Sequence, residues 1–181
     1  MNEAIYKSVA IGGEAGTGKT TIATLLATTL GWGIYGAGNE FRSARFGKPD
    51  HLIGAASGSD SEHDKIDDHM VQLLREGGYV VEGRVAGLVA AVNQIPDVMK
   101  VLLVCGDVRF QRIFDRNPGK YPSVEQARVQ TLQREGENLA VFSNRYGGRS
   151  YLDHRNYDVV LDTGKLDISQ IVHSLLGRIN T

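Results

Sequence analysis

The chain has 181 residues, 41% hydrophobic and 23% charged, with 20 basic and 21 acidic side chains and a net charge of −1. That is enough for one domain with a sizeable core, and the balanced charge gives no electrostatic basis for gripping nucleic acid. One cysteine, Cys105, excludes an internal disulfide and a thiolate metal cluster, while 22 glycines and an excess of arginine over lysine (13 to 7) mark the chain as unusual.

Met1-Asn2-Glu3-Ala4-Ile5 lacks the basic flank and apolar run of a secretory signal, and the apolar stretches are far shorter than the ~20 residues that cross a bilayer, so a cytoplasmic protein is expected. Ser8–Ile11 is a short apolar run ending in glycines and predicts a first strand. Lys19–Leu30 carries Ile22, Leu25, Leu26 and Leu30 at three- and four-residue spacing and predicts a helix. Gly33–Gly36 is a second, short strand. Ser59-Asp60-Ser61-Glu62 is a capping box opening a helix to about Arg75, closed by Gly77-Gly78. His63, Asp64, Asp67, Asp68 and His69 crowd that helix and read as a solvated face rather than as metal ligands.

Tyr79–Glu82, Lys100–Val104 and Asp158–Asp162 predict three more buried strands, with Cys105 ending one of them as a small core residue. Ser123-Val124-Glu125-Gln126 opens a long helix to about Tyr146, stopped by Gly147-Gly148. Asp167 caps a last helix whose Ile168, Ile171, Val172, Leu175 and Leu176 share one face, leaving His173 at the surface. Gly54–Asp60 and Asn117–Pro122 are candidate hinges. Strands alternating with helices predict a doubly wound α/β fold around a parallel sheet, with Trp32 packed beneath it.

Between the first strand and first helix lies Gly13-Glu14-Ala15-Gly16-Thr17-Gly18-Lys19-Thr20, which fits the G-x-x-x-x-G-K-[ST] phosphate-binding loop. Glycines let backbone N–H groups turn inward around an anion, Lys19 brings charge to β- and γ-phosphates, and Thr20 offers a hydroxyl to Mg²⁺. The helix start at Lys19 adds its positive dipole end. A strand before and a helix after supply the context the pattern needs, and together they predict binding of a nucleoside triphosphate.

Four further segments occur in a characteristic order. They are Gly36-Ala37-Gly38-Asn39-Glu40-Phe41-Arg42, Val80-Val81-Glu82-Gly83-Arg84-Val85-Ala86-Gly87, Arg112-Ile113-Phe114-Asp115-Arg116, and Tyr157-Asp158-Val159-Val160-Leu161-Asp162-Thr163 followed by Leu166. With the loop they resemble the P-loop nucleoside monophosphate kinase family, most of all the short archaeal-type cytidylate kinases, over most of the chain. The resemblance implies a five-stranded sheet of order 2-3-1-4-5, a single domain over 1–181, an acceptor flap at about 37–68 and a lid at about 116–150. It implies transfer of the ATP γ-phosphoryl group to a nucleoside monophosphate, CMP or dCMP first, with Mg²⁺. ATP and the monophosphate would be the partners, the chain being a monomer, with a homodimer as the alternative.

Residue by residue, the resemblance places ATP on Gly13, Glu14, Ala15, Gly16, Thr17, Gly18, Lys19, Thr20, Thr21 and Arg112, with Arg112 stacked on adenine and Thr21 at the α-phosphate. Gly38, Asn39, Arg42, Gly83 and Arg84 would seat the acceptor, whose phosphate suits the planar fork of arginine. Lys19, Arg84, Arg116 and Arg134 would act on the transferred group, and Thr20 and, through water, Glu82 would hold the metal.

Two departures stand out. The family's aspartate after the second strand is Asn39, which cannot take a proton; that favours an anionic phosphate acceptor over an alcohol needing a base, although Glu40 is adjacent. The arginine cluster of the family's lid helix is replaced by Leu139-Ala140-Val141-Phe142, so that either Arg145, Arg149 or Arg155 supplies charge from shifted positions or the grip on the donor is weaker. Two other classes remain open on sequence: a P-loop kinase for a small hydroxylated metabolite, and a non-catalytic ATP-binding module.

Overall fold

Tight parallel pairing of five apolar runs organises the molecule. The computed structural model describes residues 5–46 and 58–179, and for 42–46 the backbone alone. Strands β1 (Ser8–Gly13), β2 (Gly33–Gly36), β3 (Tyr79–Glu82), β4 (Val98–Val104) and β5 (Val159–Asp162) form one parallel sheet in the order β2-β3-β1-β4-β5. This is the expected order. β1 runs to Gly13, into the glycine loop, and β4 begins at Val98, two residues before the sequence pattern suggests.

Seven helices are described: α1 (Lys19–Leu30), α2 (Ala37–Phe46), α3 (Asp60–Glu76), α4 (Ala86–Val92), α5 (Val108–Arg116), α6 (Val124–Arg145) and α7 (Ile168–Ile179). The α3 capping box forms as its sequence predicts: Glu62 N–H donates to Ser59 Oγ (3.3 Å) and Ser59 N–H to the Glu62 carboxylate (2.8 Å). Ser123 Oγ likewise accepts from Gln126 N–H (3.2 Å), and Asp167 from Gln170 N–H (2.8 Å).

Alternation along the central strands sends side chains to two cores. Val9, Ile11, Val80, Met99 and Val101 pack with α1 and α7, and Trp32 borders this layer as expected. Ala10 and Val81 face the opposite side, against Met70 and Leu74 of α3, Leu88 of α4, and Phe142 and Tyr151. A third, smaller cluster joins Phe110, Ile113, Tyr121 and Ala127 to Ala15, seating the glycine loop on α5 and α6.

Several residues depart from the sequence reading. His63 is buried, stacked on Phe41 (5.4 Å between centroids) and edge-on to Phe142 (5.9 Å), because α6 covers that face of α3. Cys105 lies beyond the end of β4 and is only half-buried, with Arg112 Nη1 3.7 Å from its sulfur. Ile168 and Leu25 are exposed, each at the margin of its helix's apolar face. Leu139 and Phe142, which replace the expected arginine cluster, belong to the core beside Tyr151. The replacement is a packing requirement: this half of α6 lies over α3, where a guanidinium would lose its hydration. Of the proposed flap, 47–57 lie outside the described residues, as does most of the Gly54–Asp60 hinge.

Candidate active site

The carboxyl edge of a parallel sheet collects ligands because the chain turns there from strand to helix. At that edge the loop 13–18 leads from β1 into α1. Gly16 takes φ +78°, and a Cβ there would fall 2.8 Å from the Arg109 carbonyl oxygen and 3.0 Å from Ile113 Cγ1, so only glycine lets the loop lie on α5. Thr17 is fully buried, and its hydroxyl donates to the Glu14 carbonyl (2.9 Å), closing the loop on itself. Lys19 Nζ also donates to that carbonyl (2.7 Å). Burial pushes the Lys19 ammonium down to about 8, Arg84 and Arg116 add to that, and the Glu82 and Glu135 carboxylates oppose it.

Thr20 Oγ1 donates to Glu82 Oε1 (2.9 Å), so the last residue of β3 stands opposite the first turn of α1. Glu82 is buried. Two backbone bonds bring its neighbour Arg84 to the loop: Gly83 N–H donates to the Ile11 carbonyl (3.1 Å), and Gly13 N–H to that of Arg84 (3.3 Å). The Arg84 side chain points back over the site, with Nη1 3.4 Å from Tyr151 Oη and 3.9 Å from Glu135 Oε1. Tyr151 is itself fixed, its carbonyl accepting from the Tyr157 hydroxyl. The Tyr157 ring lies flat against Gly12 and Gly87, filling the space a Cβ at either would need.

These elements enclose a cavity of about 370 Å³, walled by Ala15, Gly16, Gly18, Lys19, Thr20 and Thr21 on one side. Gly38, Asn39, Glu82, Gly83 and Arg84 form a second wall, and Arg116 and Arg134 a third, with Asn117 and Tyr121 beside them. A second cavity of about 620 Å³ continues past Gly16, Gly18, Thr21 and Arg116 to Arg112, Thr163 and the start of α7. Arg112 is held flat there by Thr163, whose carbonyl accepts from Nη2 (2.8 Å) and whose hydroxyl lies 3.2 Å from Nη1. One polar chamber therefore sits over the helix-α1 N-terminus, with Arg84, Arg116, Arg134 and the Glu82 carboxylate in its walls, and a more apolar chamber opens beside it. The first suits phosphates; the second suits a planar base.

Most of the residues singled out from sequence meet in these chambers. Gly13 and Glu14 line neither chamber, and Thr17 borders the second. Arg42 lies on α2, but its side chain is outside the described residues. Arg145 is drawn elsewhere: it donates to Asp67 (2.9 and 2.8 Å) and Asp64 (2.7 Å) of α3, clasping the end of α6 to that helix. Arg149 is exposed on the turn after α6, and Arg155 pairs with Asp153 (2.7 Å) at the surface. None of these three lines either chamber. Their place is taken by helix contacts, and the cationic wall comes from Arg84, Arg116 and Arg134.

Sequence reasoning missed Arg109 and Glu135. Both are about 5% exposed, and Arg109 Nη1 donates to Glu135 Oε1 (2.9 Å) beneath the loop. Arg109 falls one turn before Arg112, and Glu135 directly follows Arg134, so a helical projection of α5 and α6 could have flagged the pair. Among the described residues no group of three His, Cys, Asp or Glu side chains could hold a metal alone. Thr20 with Glu82 instead offers oxygens that suit Mg²⁺ shared with a phosphate. Among the described residues no helix is long and apolar enough to cross a membrane.

Fold and site together define a P-loop kinase. Solved structures share the architecture: an uncharacterized protein from Eubacterium ventriosum superimposes with a TM-score of 0.71 at 17% identity, over 96% of this chain and 98% of the other. A shikimate kinase from Bacteroides thetaiotaomicron (TM-score 0.61, 14% identity, 94% and 96% covered) and a gluconokinase from Sinorhizobium meliloti (0.59, 14%, 98% and 93%) follow. At such identities the likeness concerns the fold. No family model matches the chain. Curated relatives are closer in sequence: a cytidylate kinase from Pyrobaculum neutrophilum is 32% identical over 179 residues, covering 96% of this chain and 92% of the relative, and one from Sulfolobus acidocaldarius is 28% identical with 95% of each covered. The chain belongs to the cytidylate kinase family and is a nucleoside monophosphate kinase.

Proposed function

We propose that the chain transfers the ATP γ-phosphoryl group to CMP or dCMP, giving ADP and the nucleoside diphosphate. The observation that supports the reading is the two-chamber site: a polar chamber over the loop 13–18 that would take the phosphates, a more apolar one beside Arg112 that would take the donor adenine, and a wall of Gly38, Asn39 and Arg84 that would take the acceptor. Cytidylate kinase relatives at 27–32% identity supply the choice of cytosine.

The part of each residue is read from the family resemblance, with the chamber walls in support. Backbone N–H groups of 16–20 and the Lys19 ammonium receive the β- and γ-phosphates, and Thr21 the α-phosphate. Arg84, with Arg42 from α2, holds the acceptor phosphate in line with the γ-phosphorus. Arg116 and Arg134 neutralise charge spreading over the transferred group. Thr20 and, through water, Glu82 hold Mg²⁺, which when bound neutralises charge on the β- and γ-phosphate oxygens. The attacking oxygen is already anionic, so no base is required, and Asn39 suits that. Glu40, the adjacent carboxylate, faces His69 of α3 (3.6 Å) and is not part of either chamber wall, which favours a phosphate acceptor over an alcohol.

The test is acceptor-dependent ADP release with CMP, dCMP, UMP, AMP and GMP, alongside shikimate and gluconate. CMP or dCMP should give the highest kcat/KM. Turnover with a hydroxylated metabolite alone, or slow ADP release indifferent to every acceptor, would overturn the assignment.

A further inference from the structure

The loop residue Ala15 is gripped on both of its backbone polar groups by one buried ion pair. Its N–H donates to Glu135 Oε1 (3.0 Å) and its carbonyl accepts from Arg109 Nη1 (3.3 Å), while Arg109 Nη1 and Glu135 Oε1 bond to each other (2.9 Å). Arg109 Nη2 reaches the Glu14 carboxylate (3.5 Å), so two consecutive loop residues answer to one guanidinium. Glu135 belongs to α6, within the segment of about 116–150 proposed as lid, and Arg109 to α5, whose last residue leads into it. Arg84, on the opposite wall, lies 3.9 Å from the same Glu135 oxygen.

A buried ion pair is weak support for stability, since desolvating both charges offsets most of their attraction, and replacement by apolar residues is often neutral. Its value here lies in geometry. Ala15 lines the phosphate chamber, and both peptides it joins are held: the Glu14–Ala15 unit at its N–H by Glu135 and at its carbonyl by Thr17 and Lys19, and the Ala15–Gly16 unit at its carbonyl by Arg109, so that turning either dipole toward or away from a bound phosphate breaks a hydrogen bond. Among the described residues, Glu135 Oε2 is buried without a hydrogen-bond partner, a cost that helix packing alone does not require.

We propose that Arg109 and Glu135 are positioning residues for phosphoryl transfer, a clamp that sets the two peptides on either side of Ala15 and links the phosphate loop to α5 and α6. The clamp holds these peptides through hydrogen bonds, so an amide at 135 can replace the carboxylate whereas a methyl cannot. It rests on the kinase reading above, and two readouts separate the failures.

Glu135→Ala, Glu135→Gln and wild type are compared for Mg-ATP affinity without acceptor, for kcat at saturating CMP and ATP, and for melting temperature. Glu135→Ala should weaken Mg-ATP about tenfold. Beyond that loss, its kcat should fall about 10- to 100-fold, as expected when a reacting group is misplaced. Glu135→Gln should recover most of both. Should Glu135→Ala fail to fold, Glu135→Asp, which withdraws the carboxylate by one methylene, is read in the same way. Unchanged affinity and kcat in the folded Ala or Asp variant would overturn the clamp. So would tighter Mg-ATP binding, which would mean that the carboxylate competes with nucleotide for the Ala15 N–H, and so would a Gln variant as impaired as Ala. If wild type phosphorylates no monophosphate, the kinase reading fails, and the affinity comparison still decides the clamp.

Discussion

Lys19 shows how one side chain is tuned by its setting. Its ammonium, pushed down to about 8 by burial, regains its usual preference for the charged form once a polyanion lies beside it. Binding above about pH 8 therefore takes up a proton. Mg-ATP affinity should therefore be flat below about pH 8 and fall as the pH rises through it, approaching tenfold per unit; calorimetry in buffers of different ionisation enthalpy would show the proton uptake. Lys19→Ala should remove this dependence and lower kcat/KM by at least about 10²- to 10³-fold, the scale of losing one preorganised donor, with little change in melting temperature. The loop itself was legible in the sequence because its residues act within eight positions of one another. Arg109 and Glu135 were not, because 26 residues and a helical turn-back separate them, and only tertiary packing brings them beneath Ala15. His63 was misread for a related reason: its neighbours in sequence are charged, but Phe142, which covers it, is far along the chain.

Elements bordering the site are held by a few cross-links whose loss should be measurable. Asp67 accepts from Arg145 and from the Tyr146 hydroxyl (2.8 Å), tying α6 to α3. Asp67→Asn should cost about 1–3 kcal/mol in urea denaturation, the range for a charged hydrogen bond removed from a part-buried site. Asp64→Asn, at the exposed rim of the same clasp, should cost less than about 1 kcal/mol. That contrast would show that Arg145 serves helix docking rather than phosphate neutralisation. At this scale the sequence was informative where caps and periodicity are local: α1, α3, α6 and α7 begin within a residue of their signals. α4 was hidden because its run, Ala86–Val92, is apolar on every side and carries no helical period. α2 was hidden by its glycine and asparagine start.

In the whole molecule, the sheet edge, the Tyr157 ring and the loop form one continuous support for Arg84. Gly87→Ala would drive a methyl into the Tyr157 ring, release the Tyr151 carbonyl from its hydrogen bond and loosen Arg84. Such overpacking should cost about 1–3 kcal/mol in stability, with a rise in the acceptor KM larger than any change in that for ATP. Sheet order and topology were legible through the ordered motifs, whereas the division of arginines between site and scaffold was not, because a guanidinium at a helix end looks the same in sequence whether it faces a phosphate or an aspartate. The central claim is that these surfaces bring ATP and a pyrimidine nucleoside monophosphate into line for transfer. Its most direct test is steady-state ADP formation by the purified protein with Mg-ATP and each common nucleoside monophosphate in turn. CMP or dCMP should be phosphorylated with the highest kcat/KM, and the nucleoside diphosphate should appear in step with ADP. ADP release that is slow and equal with every monophosphate and with none would contradict it.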